Sequence, residues 1–248
     1  MKNIACIILI CMANLANAQS KVEKVIPVGA GQSIAMEFTW PELITINTWN
    51  KNEIKLVARV DINRGQNDDA FKLVVDQTSS TINIASVIEN YKNLPRKIVI
   101  NKGGQEYFFN TDDHNSPEII KFKEDYGSAN FNYTQYGVIM DITLEIWIPE
   151  NVSLEVKSKY GMVEVLGFNG DMKIHSKFGG IDVSSSGNQQ IKVGTKFGEK
   201  YTNLTNSIKS VSVGNHPGKW DWVMIGASNS SGSQELKSEF GNIYIRRL

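Results

Sequence analysis

Met172-Lys173-Ile174-His175-Ser176-Lys177-Phe178-Gly179 is the stretch on which the reading of the fold turns. Its pattern is apolar, any, apolar, any, Ser/Thr, charged, aromatic, Gly. The same pattern returns in Leu154-Glu155-Val156-Lys157-Ser158-Lys159-Tyr160-Gly161 and in Ile191-Lys192-Val193-Gly194-Thr195-Lys196-Phe197-Gly198. A fourth copy, Gln234-Glu235-Leu236-Lys237-Ser238-Glu239-Phe240-Gly241, has lost its first apolar residue to Gln234. A second short strand pattern follows three of them: Val163-Glu164-Val165, Ile181-Asp182-Val183 and Ile243-Tyr244-Ile245. The third copy departs, with Lys200 and Thr202 at those places.

The four glycines are 18, 19 and then 43 residues apart, the last interval reading as two periods plus an excursion at 215–222. A period near 20 with strand-turn-strand content is the mark of a stacked-coil β-solenoid, whose coils bury their apolar faces only against their neighbours. An ordinary β-sandwich with similar hairpins is the alternative. The recurring glycine is expected to turn the chain with a positive φ, which other residues adopt at a cost of about 1–2 kcal/mol. Tyr160, Phe178, Phe197 and Phe240 are expected at equivalent places in successive coils, as an aromatic stack in which each ring would contribute about 1.5–3 kcal/mol if buried.

Upstream, period-two alternation continues through 33–38, 43–49 and 54–60, with Asn50-Lys51-Asn52 as a turn between two of the runs. Phe71 to Val75 and Thr81 to Ile84 extend it. Between 88 and 138 the pattern loosens, and two or three strands with longer loops are expected there, with at most one helical turn near 112–124. Regular β resumes at Met140, and Pro149 closes the strand Ile142 to Ile148. The clear repeats occupy 141–248. At about 4.8 Å per coil, 230 residues make a rod on the order of 55 Å.

The first eighteen residues read as a secretory signal, with Lys2, an apolar run from Ile4 to Ala13, and Ala16-Asn17-Ala18 before Gln19. Cys11 follows Ile10 rather than the small residue a lipid-attachment box needs. Cys6 and Cys11 both lie in this segment, so residues 19–248, the expected single β-solenoid domain, contain no thiol for a disulfide or a metal. The expected location is the periplasm, the cell surface or the medium. Lys and Arg balance Asp and Glu at 26 each, and loss of Lys2 leaves a net −1. A near-neutral chain points away from nucleic acid and from anionic membranes.

The repeat, the strand Asp141 to Ile148 ending in Pro149-Glu150-Asn151, and the run Thr45 to Ile54 together resemble bacterial secreted β-strand-repeat proteins that carry an adhesin label, and are similar to the head-GIN group. The resemblance spans most of 19–248. It implies an all-β, right-handed parallel β-helix-like solenoid, with no assigned catalytic residue and no assigned ligand.

Chemistry is sparse. The chain has no Gly-x-Ser-x-Gly elbow, no His-Glu-x-x-His pair and no phosphate-binding glycine loop. Gly179-Gly180-Ile181-Asp182 lacks the further glycine of a calcium nonapeptide. His175 lies on the polar parity of a repeat strand, His216 precedes Pro217 in a loop, and His114 adjoins Asp112 and Asp113, a company that reads as a solvated acidic loop. Glu155, Glu164 and Asp182 alternate with core positions and read as outward. The expectation is therefore a non-catalytic envelope module, adhesin-like, without cofactor or metal, whose partner is an envelope protein or a glycan. Trp220 and Trp222, on the loop that interrupts the repeat, are the candidate binding residues. The rivals are a polysaccharide-active enzyme on the same fold, which needs two or three carboxylates gathered on one face, and an accessory part of an envelope-stress system.

Overall fold

From Leu154 to Val183, strands of about five residues alternate apolar and polar side chains, and each buries one face. β11 (Leu154–Ser158) reads buried, half-buried, buried, exposed, buried, and β13 (Met172–Ser176) repeats the alternation. Such strands are too short to stand alone and gain their stability by pairing laterally and packing their apolar faces. The computed structural model describes residues 19–127, 131, 133–185, 191–196, 200–204, 208–213, 234–238 and 243–246. Among these the fold is all-β with one α-helix, in two eight-stranded sheets and one three-stranded sheet, none closed into a barrel.

The chain shuttles between the two large sheets. β11 and β13 lie in one sheet with β15 (Ile191–Thr195) and β18 (Gln234–Ser238). β12 (Met162–Leu166), β14 (Ile181–Ser185), β16 (Lys200–Leu204) and β19 (Ile243–Arg246) lie in the other. Every pairing within these two sets is parallel and keeps the repeat in register: Leu154 beside Met172, Met172 beside Ile191, Ile191 beside Gln234. Inner faces of both sheets meet in one core, with Ile34, Ile44, Ile46, Val156, Val163, Ile174 and Ile181 all buried. The facing sheets are compatible with the sandwich alternative as well as with a coil.

The parallel ladders continue into the N-terminal half. β2 (Ser33–Phe38) pairs parallel with β11, and β3 (Leu43–Trp49) pairs parallel with β12. Residues 34–46 therefore form an unrecognised, degenerate copy of the repeat, with Trp40 at the aromatic place and Pro41 at the glycine place. Beyond it, β6 (Thr81–Ile88) pairs parallel with β2, and β10 (Met140–Pro149) pairs parallel with β3. Antiparallel strands then close this end: β5 (Phe71–Gln77) on β6, and β4 (Glu53–Ile62) on β10 with β1 (Ser20–Pro27) outside it. β10 thus lies between β3 and β4, so the turn at Asn50-Lys51-Asn52 spans a strand instead of making a hairpin.

Residues 89–139 are an insertion with a core of their own. β7 (Lys97–Lys102) pairs antiparallel with β8 (Gln105–Phe109) and β9 (Tyr133–Gly137). The helix α1 (Pro117–Tyr126) packs Ile119 and Phe122 onto Ile98 and Ile100. This corrects the expectation of a single helical turn. Pro117 at the first helical position and Gly127 just past the end, at φ 71°, are helix-boundary signals.

Two further expectations change. β18 pairs directly with β15 and β19 with β16, and β17 (Ile208–Val213) pairs outside β18, so among the described residues this part of the chain adds two rungs to one ladder and one to the other. Because many strands serve the end closure and the insertion, each large sheet is eight strands across, roughly 35 Å at about 4.8 Å per strand.

Candidate binding site

The repeat's corner explains its own consensus. Ser158 and Ser176 are buried at the ends of β11 and β13. The Ser158 hydroxyl donates to the Gly161 carbonyl at 2.9 Å, and the Gly179 amide donates to Ser176 Oγ at 3.1 Å. A buried hydroxyl thus closes each corner with a hydrogen bond that water cannot reach. Gly161 and Gly179 do not take the positive φ expected of them. They are required by close approach: a Cβ on Gly179 would overlap the Gly161 carbonyl, and one on Gly161 would overlap the Pro41 carbonyl.

The aromatic position does stack. Tyr160 and Phe178 lie 5.5 Å apart and nearly parallel, Trp40 lies 5.8 Å from Tyr160, and Tyr91 stacks on Trp40 at 4.5 Å. The file is not buried, however, because Tyr160 and Phe178 are 45% and 43% exposed. The corner points away from the core, so the rings pack on each other and leave their edges in solvent. Lys159 and Lys177 hold their ammonium groups 4.8 and 5.0 Å from the centroids of the rings that follow them.

A groove of about 570 Å³ opens where three turns meet at one end of the large sheets, formed by 28–33, 49–52 and 149–153. Its wall is Trp49, the last residue of β3. The indole N–H donates to the Glu53 carbonyl at 2.7 Å, which fixes the ring across the turn. Trp147 lies 6.3 Å away, and the Lys51 ammonium sits 4.6 Å from the Trp49 centroid and 3.6 Å from Glu53. The floor is held by Gln32, whose side-chain oxygen accepts from the Gly29 amide at 2.7 Å and whose amide donates to the Thr78 carbonyl. Val28 N–H donates to the Asn52 carbonyl at 2.9 Å. Asn50, Asn52 and Asn151 line it with Ser33, Ser153, Lys51 and Glu150, and Ala30, Pro149 and Val152 add apolar surface. Amides and hydroxyls both donate and accept, and an indole face takes C–H surface, so the groove matches the groups of a saccharide.

A second, smaller hollow of about 270 Å³ lies on the outer face of the sheet that contains β11. Its floor is low because Ala35 and Ala85 carry only methyl groups, while Glu37, Asp76, Glu155 and Lys157 form the rim. Glu155 is bridged by Lys173 at 3.2 Å and Lys157 at 3.4 Å. The hydrogen bond from Lys173 chiefly holds its carboxyl below the usual range, with Lys157 adding to it against partial desolvation.

Trp220 and Trp222 lie outside the described residues, as do His216, Phe197 and Phe240. His175 is exposed on β13, beside Lys157 of β11 in the ladder. His114 rests its ring 5.6 Å from Tyr136, and Asp113 accepts from the Asn115 amide, so this trio forms the turn before α1. Among the described residues, no group of three or more His, Cys, Asp or Glu is placed to hold a metal ion. Nor is any helix among them long and apolar enough to cross a membrane. Trp49 escaped the sequence reading as one more alternating strand residue, although an aromatic strand end beside Asn-Lys-Asn marks a surface ring.

The fold is similar to that of a candidate cell adhesion protein from Clostridium sporogenes. The two share 12% identity at a TM-score of 0.55, over 93% of this chain and 100% of that one. At that identity the likeness concerns the fold alone. No family model and no curated protein matches the chain.

Proposed function

We propose that the chain is an exported, non-catalytic, adhesin-like module of the cell envelope, and that it binds a saccharide in the groove walled by Trp49. The observation that carries this reading is the groove itself: one fixed indole wall, an amide-rich lining and a floor held by Gln32. The parallel, in-register ladders support the finer architecture, a right-handed parallel β-helix-like stack, since crossovers between parallel strands of one sheet are right-handed in about 98% of cases. The apolar run before Gln19 supports export, and Trp220 and Trp222 are a second pair of candidate contact residues.

The enzyme rival has its place in the hollow, where Glu37, Asp76 and Glu155 share one sheet face. Its chemistry is poorly served there. Glu155 is held ionised by Lys173 and Lys157, whereas glycoside hydrolysis needs one carboxyl kept protonated as the acid.

The test screens residues 19–248 on a glycan array, beside Trp49→Ala and the double variant Trp220→Ala/Trp222→Ala. The expected result is a saccharide bound without turnover and weakened about thirtyfold by Trp49→Ala, equivalent to about 2 kcal/mol. Undiminished binding by Trp49→Ala would remove the groove from the reading, and cleavage of a bound glycan would replace the module with an enzyme.

A further inference from the structure

The net charge near zero conceals a sorted surface. Between 154 and 196, Lys157, Lys159, Lys173, Lys177, Lys192 and Lys196 all fall on β11, β13, β15 or the corners that follow them. The acids of the same coils, Glu164 and Asp182, stand side by side on β12 and β14 in the opposite sheet. Glu155 on β11 and Asp171, just before β13, are the acids on the basic side, and Glu235 of β18 stands next to Lys192 at the far end. In-register parallel pairing converts one lysine per coil into files: Lys173 lies beside Lys192, and the corner amides of Lys177 and Lys196 donate to the Ser158 and Ser176 carbonyls of the preceding coils. Rungs are about 4.8 Å apart, and like charges directly opposite one another destabilise a sheet. The corner file also carries the half-exposed Tyr160 and Phe178 rings, each with a lysine ammonium close by.

We propose that this edge of the molecule binds a linear acidic glycan, one carrying carboxylate or sulfate groups along its length. The polymer would run across the coils, its anionic groups meeting successive lysines and its ring C–H edges meeting Tyr160 and Phe178. The rung spacing is close to the length of one sugar unit in an extended chain. It is a poor match to the roughly 3.4 Å phosphate rise per strand of duplex DNA. A planar anionic membrane fits less well, because Glu155, Glu37 and Asp76 occupy the adjoining face and would be driven into the headgroups. This strip is separate from the Trp49 groove, and its binding does not depend on the groove.

Polygalacturonate serves as the probe, with its fully methyl-esterified form as the neutral counterpart, titrated against residues 19–248 in low salt. The expected result is binding of the acidic chain alone, weakened at least tenfold in Lys159→Gln/Lys177→Gln/Lys196→Gln and tightened in Glu155→Gln. The slope of log affinity against log salt should fall by up to about one for each lysine removed. Glu164→Gln/Asp182→Asn, on the opposite sheet, should bind as the parent does, and matched melting curves show that the triple variant is folded. Equal affinity for the esterified chain, or an unweakened triple variant, overturns the proposal. Tighter capture of single-stranded DNA or phosphatidylserine vesicles through the same lysines would overturn it in favour of a different polyanion.

Discussion

Gly179 shows how a single position carries both local and long-range demands. Its amide is held by Ser176, and its Cα lies where the Gly161 carbonyl of the previous repeat passes. The obstacle is backbone, which cannot rotate away as a side chain would. Gly179→Ala is therefore expected to lower stability by about 2 kcal/mol or more, read as a drop in the denaturation midpoint. An unchanged midpoint would mean that the corners are not in contact. The repeated glycine was legible in the sequence, but its reason was not. Glycine tolerates both a left-handed φ and a close approach, and only the stacked corner tells them apart. Tyr160 and Phe178 teach the same lesson: their spacing marked them as equivalent, while their exposure depended on which way the corner faces.

At the scale of elements, the insertion is the part that sequence periodicity handled worst. α1 contributes only Ile119 and Phe122 to a small core shared with Ile98 and Ile100, and Tyr107, Phe109 and Phe131 pack around them. Phe122 contacts four rings, with centroids between 4.7 and 5.6 Å away. Phe122→Ala should cost about 3–5 kcal/mol within this unit. Hydrogen exchange should then quicken across 97–137 while β10 to β14 keep their protection; uniform loss of protection would show instead that the insertion and the sheets unfold together. The helix is short and its apolar stripe narrow, so its boundary residues, Pro117 and Gly127, were better signals than its periodicity. The strands of the repeat were read at nearly their true places because period-two alternation is a property of each strand alone.

At the scale of the whole molecule, one core joins the two large sheets. Phe38, at the end of β2, is about 1% exposed and lies in that core with residues of both. Phe38→Ala should cost about 3–5 kcal/mol, and far-ultraviolet dichroism and tryptophan fluorescence should report the same lowered transition. Two separated transitions would show that the sheets are independent. The groove belongs to this scale too, because the turn at 149–153 lies about a hundred positions beyond those at 28–33 and 49–52 and meets them only when β10 enters between β3 and β4.

By itself the sequence determined the strand content, the inward and outward parity, the repeating corner and the alternatives of coil or sandwich, since all of these are written in neighbouring residues. Only the tertiary structure decided that β10 separates β3 from β4, that β18 separates β15 from β17, that 34–46 joins the same two parallel ladders, and that Trp49 walls a groove. The physical reason is that alternation specifies which face a strand buries but not which strand lies beside it. Any apolar, alternating strand offers the same backbone donors and acceptors, and the partner is chosen by the burial summed over the whole core. The sorting of lysines from Glu164 and Asp182 between 154 and 196 has the same origin: parallel register places like residues of successive repeats side by side.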